Sequence, residues 1–130
     1  MAGYSGTPLV KKLGIKPGSR VALLNAPAGF RRELVGLPAD VRVVSRAVGS
    51  PDLVIWFVGS QRDLHRRIMA TAGYMGSGLW IAWPKRASAV ATDLSEDAVR
   101  TAGLTHGLVD YKVCAINLTW SGLKFARRKA

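Results

Sequence analysis

Two uninterrupted apolar runs constrain this chain more than anything else in it. Leu53-Val54-Ile55-Trp56-Phe57-Val58 lies between Pro51 and Gly59, and Leu79-Trp80-Ile81-Ala82-Trp83 lies between Gly78 and Pro84. Neither run alternates apolar with polar residues, so each needs cover on both faces. Their length, their β-branched and aromatic content and their end signals read as buried parallel strands. The run Val21-Ala22-Leu23-Leu24 within Arg20–Leu24 reads the same way. Between the two long runs, Ser60 can cap a helix whose Leu64, Ile68 and Ala72 form a buried stripe, with Asp63 near its positive end. The expected fold is therefore α/β, a compact three-layer domain with a mostly parallel sheet flanked by helices.

The remaining segments fit around that sheet. Thr7-Pro8 marks a helix start, and Gly14 can close the helix in a left-handed conformation. Phe30–Val35 reads as a short helix and Val41–Ser45 as a second strand. Arg46–Pro51 is too short for a helical crossover to Leu53. Either the second strand runs antiparallel, or its link runs extended across the sheet; we place the segment at the edge of a mostly parallel sheet. Ser95 opens another helix, with Glu96 and Asp97 in its first turn and Leu94 and Val99 as a hydrophobic staple. Tyr111–Ile116 and Trp120–Ala126, joined by Asn117–Thr119, read as a C-terminal antiparallel hairpin. With 130 residues, the chain is expected to be one domain, 1–130, with short flexible ends at 1–5 and 127–130.

Several classes of protein are set aside by composition. The single Cys114 permits neither an internal disulfide framework nor a cysteine-rich zinc module, and two separated histidines, His65 and His106, lack metal-ligand spacing, so no metal is expected. No apolar stretch approaches the roughly 20 residues of a membrane span, and Met1–Ser5 lacks a signal-peptide pattern, so a cytoplasmic protein is expected. Nineteen Lys and Arg against eight Asp and Glu give a net charge of +11. Such a field attracts an anionic small molecule, nucleic acid or an acidic protein. Arg62, Arg66 and Arg67 form the candidate polyanion-binding cluster.

In an open parallel sheet, ligands occupy the crevice beyond the carboxyl ends of the strands. That rule nominates Asn25, Ser60, Trp83, Lys85 and Arg86 as ligand-binding candidates. Ser60 would offer helix-start amides to an anion, Lys85 and Arg86 charge, and Trp83 an aromatic wall. Each also has a plainer reading: a turn for Asn25, a cap for Ser60, core packing for Trp83 and solvated ends for Lys85 and Arg86. The loop Asn25-Ala26-Pro27-Ala28-Gly29 is no G-x-G-x-x-G fingerprint and the chain has no phosphate loop, so no cofactor is assigned. Cys114 reads as a small core residue, and no nucleophile, base and orienting acid come together in sequence. Asp52–Val58, the helix, Gly78–Trp83 and the hairpin are similar to the second half of a methyltransferase-like sheet.

The combination of GYSGTPLVKKLGIKPG at Gly3–Gly18, VALLNAP at Val21–Pro27, GLWIAWPKRAS at Gly78–Ser88, TDLSEDAVR at Thr92–Arg100 and GLVDYKVCAINLTWSGLKFARR at Gly107–Arg128 resembles the bacterial family catalogued as domain of unknown function 3052. The resemblance spans nearly the whole chain, is weaker over Ala39–Ser50, and implies a compact stand-alone domain with no established reaction. It brings no catalytic residue. The expected function is a noncatalytic binding domain that recognises an anionic ligand or acidic partner. The alternatives are a small anion- or nucleotide-utilising enzyme, methyltransferase-like in fold, and a structural protein-interaction domain using an exposed patch near Trp120.

Overall fold

Every residue of β3 (Leu53–Phe57) and β4 (Gly78–Pro84) is buried, as their continuous apolar sequences demand. The computed structural model describes residues 7–129, so the expected loose end at 1–5 lies outside the described residues. The other elements are α1 (Leu9–Leu13), β1 (Arg20–Leu24), a 3-10 helix (Phe30–Glu33), β2 (Arg42–Val44), α2 (Gln61–Tyr74), α3 (Glu96–Thr105), β5 (Leu108–Ala115) and β6 (Trp120–Arg127). They build one six-stranded sheet in the order β2-β1-β3-β4-β6-β5. The first four strands are mutually parallel, and β6 runs antiparallel to both β4 and β5.

Alternate residues of each buried strand feed opposite layers, as the pleat requires. Val54, Trp56, Leu79 and Ile81 pack with Leu64 and Ile68 of α2 and Val99 of α3. Leu53, Ile55, Phe57 and Trp80 pack with Val10 and Leu13 of α1 and with Phe30. The three-layer α/β expectation is met. Ser60 and Ser95 cap their helices, accepting from the amides of Asp63 at 3.2 Å and Ala98 at 3.1 Å. The start of α1 departs from expectation, since Pro8 is the capping residue and no side chain caps that helix. Burial of Val10 and Leu13 holds this single turn instead.

The link after β2 resolves the short connection. Residues 45–52 leave the edge strand, pass β1 and enter β3 on its far side, so both flanking strands stay parallel to β1. Eight extended residues reach about 26 Å, enough to return along a five-residue strand and step sideways past one neighbour. A strap therefore lies where a regular doubly wound fold would place a helix.

The hairpin forms as expected but carries a bulge. Asp110 pairs with Phe125 and Lys112 with Lys124, leaving Tyr111 as the extra residue. Tyr111 therefore does not share a face with Val113 as strict alternation would have it. Its ring lies 5.8 Å from Lys124 Nζ, which is also 5.7 Å from the Trp80 ring. Burial lowers the Lys124 amine below the usual lysine range, helped by Lys112 and Lys16. Strand β6 continues to Arg127, whose guanidinium donates to the carbonyls of Ala72 and Met75 at the end of α2, at 2.9 and 3.3 Å. The basic end thus begins inside the sheet, with a cation on helix-terminal carbonyls. Among the described residues no helix is long and apolar enough to cross a membrane.

Candidate functional site

Strand order reverses beside β1, whose neighbours β2 and β3 leave in opposite directions across the sheet. That is where an open sheet parts its connections and leaves a crevice. At its base Asn25 adopts a left-handed conformation, φ 56°, and its Nδ2 donates to the Phe57 carbonyl at 2.9 Å. Asparagine tolerates this backbone better than most residues. One side chain thus ties together the carboxyl ends of β1 and β3.

A cleft of about 640 Å³ opens over this point. Its floor is Leu24, Trp56 and Val58; one wall is the strap, from Ser45 to Val48. The other wall is a side of α2 carrying Asp63, Arg67, Thr71 and Tyr74. The helix presents them there because Leu64, Ile68 and Ala72 turn inward, leaving a polar stripe next to the buried one. Two guanidiniums, Arg46 and Arg67, face the cleft against one carboxylate, Asp63. Among the described residues neither arginine forms an ion pair; three acids instead converge on Arg100 of α3, from Glu96, Asp97 and Asp110. A smaller hollow of about 330 Å³ shares Asn25 and Ser45 with the cleft and is bordered by Arg31, whose Nη2 donates to Ser45 Oγ at 3.3 Å.

The expected site residues do not converge. Asn25 lines the cleft, whereas Ser60, Trp83, Lys85 and Arg86 do not. The anion awaited at the start of α2 is the chain's own: Asp93 Oδ1 accepts from the Gln61 amide at 2.8 Å, and Thr92 Oγ1 donates to the Gly59 carbonyl at 2.8 Å. Trp83 is buried between the sheet and the α2–α3 layer. Lys85 follows β4, and its amide donates to the Thr119 carbonyl at 2.7 Å; Arg86 is exposed beside it. The arginine cluster is split by helical geometry, with Arg67 on the cleft wall and Arg62 and Arg66 on the exposed side of α2. Trp120 stands edge-on to Phe57 at 5.1 Å, packed in the layer that holds Phe30. His106 Nδ1 lies 2.9 Å from the Ala102 carbonyl in α3, a helix-end contact.

Sequence reasoning missed Ser45, Arg46, Asp63 and Tyr74 as site residues. A usable signal existed in α2, where Asp63, Arg67 and Tyr74 fall on one side at helical spacing. Cys114 is buried against the α1 layer, and burial raises its thiol above the usual range even though Lys12, Lys112 and Lys85 pull the other way. A thiol reagent at pH 8 is expected to leave the native chain unmodified for minutes and to label its one cysteine after denaturant is added. Rapid stoichiometric labelling of the folded chain would contradict this placement.

No family model matches the chain, and no curated protein matches it. Solved structures do. Magnesium protoporphyrin IX methyltransferase from Synechocystis with bound SAH is 12% identical with a TM-score of 0.60, over 92% of this chain and 78% of that one. A SAM-dependent methyltransferase from Aquifex aeolicus is 12% identical with a TM-score of 0.60, over 90% of this chain and 86% of that one. A protein of the NADB-Rossmann superfamily from Streptococcus agalactiae is 10% identical with a TM-score of 0.53, over 100% of this chain and 72% of that one. These likenesses establish a Rossmann-like methyltransferase fold. They also correct the expectation of a noncatalytic binding domain, since solved structures that share this fold are named as methyltransferases.

Proposed function

We propose that this chain is a small nucleotide-utilising enzyme on a methyltransferase-like fold, with a nucleoside-based cofactor held in the switch-point cleft. The observation that carries the reading is the cleft itself, about 640 Å³ at the reversal of strand order. Leu24, Trp56 and Val58 offer an apolar floor for a purine, and Asp63 and Ser45 offer acceptors for hydroxyls. S-adenosylmethionine, the methyl donor implied by the fold, supplies an electrophilic methyl group on a cationic sulfur. Its adenosine half fits this lining. Its cationic end does not, since the walls carry two guanidiniums and one carboxylate, and the loop Asn25–Gly29 lacks the two leading glycines that bring backbone close to a cofactor. Membership of the bacterial family catalogued as domain of unknown function 3052 is part of the proposal and rests on the segments quoted above. The proposed partner is a small molecule, and the proposed location is the cytoplasm.

Calorimetry with adenosine, adenosine 5′-monophosphate and S-adenosylhomocysteine tests the cleft. At least one of them is expected to bind with 1:1 stoichiometry and to lose most of its affinity in Trp56→Ala. Incubation of a binding nucleotide with a protein-free cell extract, followed by chromatography, then tests catalysis. Conversion is expected only with the chain present. A chain that binds none of these compounds, or returns the nucleotide unchanged, contradicts the proposal.

A further inference from the structure

The misfit just described has a local origin, and it points to a particular ligand. In doubly wound nucleotide-binding sheets the end of the second strand meets the ribose. A carboxylate about 20 residues after the first loop holds the ribose hydroxyls, whereas an arginine near that place accommodates a phosphate on the sugar. In this chain β2 ends at Val44, and the next residues are Ser45, twenty positions after Asn25, and Arg46. Both line the cleft, and its one carboxylate, Asp63, stands on the α2 wall rather than in the strap. Arg31 reaches the same spot from the 3-10 helix and donates to Ser45 Oγ at 3.3 Å. Arg67 lines the same cleft from the α2 wall. Among the described residues Arg31, Arg46 and Arg67 all lack a carboxylate partner.

We infer that Ser45, Arg46 and Arg31 form a phosphate site, and that the ligand of the cleft is an adenine nucleotide phosphorylated on its ribose. The inference rests on the reading that this cleft holds a nucleoside. Guanidinium groups bind phosphate through paired N–H donors, and the Ser45 hydroxyl adds one further donor. The net charge of +11 attracts such a polyanion and repels a cation of the S-adenosylmethionine kind. The strap explains how so small a chain builds this corner. With no helix between β2 and β3, residues Ser45–Val48 of the strap themselves line the cleft.

The test compares adenosine 2′,5′-bisphosphate, adenosine 5′-monophosphate and S-adenosylhomocysteine by calorimetry on the whole chain at fixed salt. The bisphosphate is expected to bind about ten- to a hundred-fold more tightly than the monophosphate, the range for charge-assisted hydrogen bonds. Arg46→Ala is expected to reduce the bisphosphate to the level of the monophosphate. Arg46→Lys keeps the charge but loses the planar fork, and recovers only part of the preference. Arg62→Ala, which removes the same charge from the outer side of α2, leaves the preference intact. Equal affinities, or a preference lost equally in Arg46→Ala and Arg62→Ala, overturn the phosphate site. If S-adenosylhomocysteine binds while the bisphosphate shows no advantage, the phosphate site falls and the nucleoside cleft stands. If no adenosine compound binds, both fall together.

Discussion

Replacing Gly103 by alanine is expected to destabilise the domain by about 1–3 kcal/mol, the range for overpacking a well-filled core. The sign is what makes the result informative. Glycine inside a helix ordinarily costs about 0.5–1 kcal/mol relative to alanine, so propensity alone predicts a gain. Gly103 lies in the last turns of α3 and is buried against β6. A Cβ built there collides with Cε2 of Phe125 and falls 2.9 Å from two further ring atoms. Phe125 is fully buried, so the ring cannot yield by swinging into solvent. Either α3 lifts from the sheet or the ring leaves its rotamer. Gly73 in α2 supplies the control, because it is exposed and a Cβ there meets nothing within 4 Å. Gly73→Ala is expected to stabilise by a few tenths of a kcal/mol, up to about 1. Urea denaturation of both variants, with unchanged m-values, reads the two signs. A stabilised Gly103→Ala would mean that α3 does not approach β6 this closely.

Gly103 also illustrates which features sequence can carry. The runs Leu53–Val58 and Leu79–Trp83 announce buried strands because continuous apolarity is a local property, and Ser60 and Ser95 announce helix starts for the same reason. The edge position of β2 follows from a length argument, since residues 46–51 are too few for a helix. What lay beyond reach is every feature made by two distant segments meeting. Nothing near Asp93 says that its carboxylate will take the Gln61 amide, 32 positions away, and so close the helix start that Ser60 seemed to offer to a ligand. The Tyr111 bulge depends on how β5 registers against β6, and a one-residue slip there changes which face each side chain joins. The cleft is a stronger case. Asn25, Arg46 and Arg67 share it because a strap replaced a helix, and only the crossing of that strap past β1 brings them together. The crevice rule found Asn25, which sits at a strand end. It did not find residues on the strap or deep on the α2 wall.

Trp80→Ala is expected to have the largest effect of any single truncation in this chain, a loss of about 3–5 kcal/mol against a whole-domain stability of roughly 5–15 kcal/mol. Trp80 is fully buried in the middle of β4. Its indole stands over Gly122 of β6, where a Cβ would come within 3.1 Å of Cε3, so the ring occupies space that β6 leaves open. Its Nε1 donates to the Leu13 carbonyl at 2.9 Å, at the very end of α1. That helix has five residues and no side-chain cap, too little to persist without tertiary support. Truncation therefore leaves a cavity and frees the element that covers one face of the sheet. Trp80→Phe separates the two effects: it keeps most of the ring, and the Leu13 carbonyl retains Lys124 Nζ at 3.3 Å. Its expected cost is about 1–2 kcal/mol, one lost hydrogen bond plus a small void. Amide exchange at Gly14 and Ile15, whose N–H groups close α1 onto Lys11 and Val10, is expected to quicken in both variants beyond the change in global stability. A Trp80→Ala chain that loses less than about 1 kcal/mol, with exchange in α1 unchanged, would place the support of that layer elsewhere.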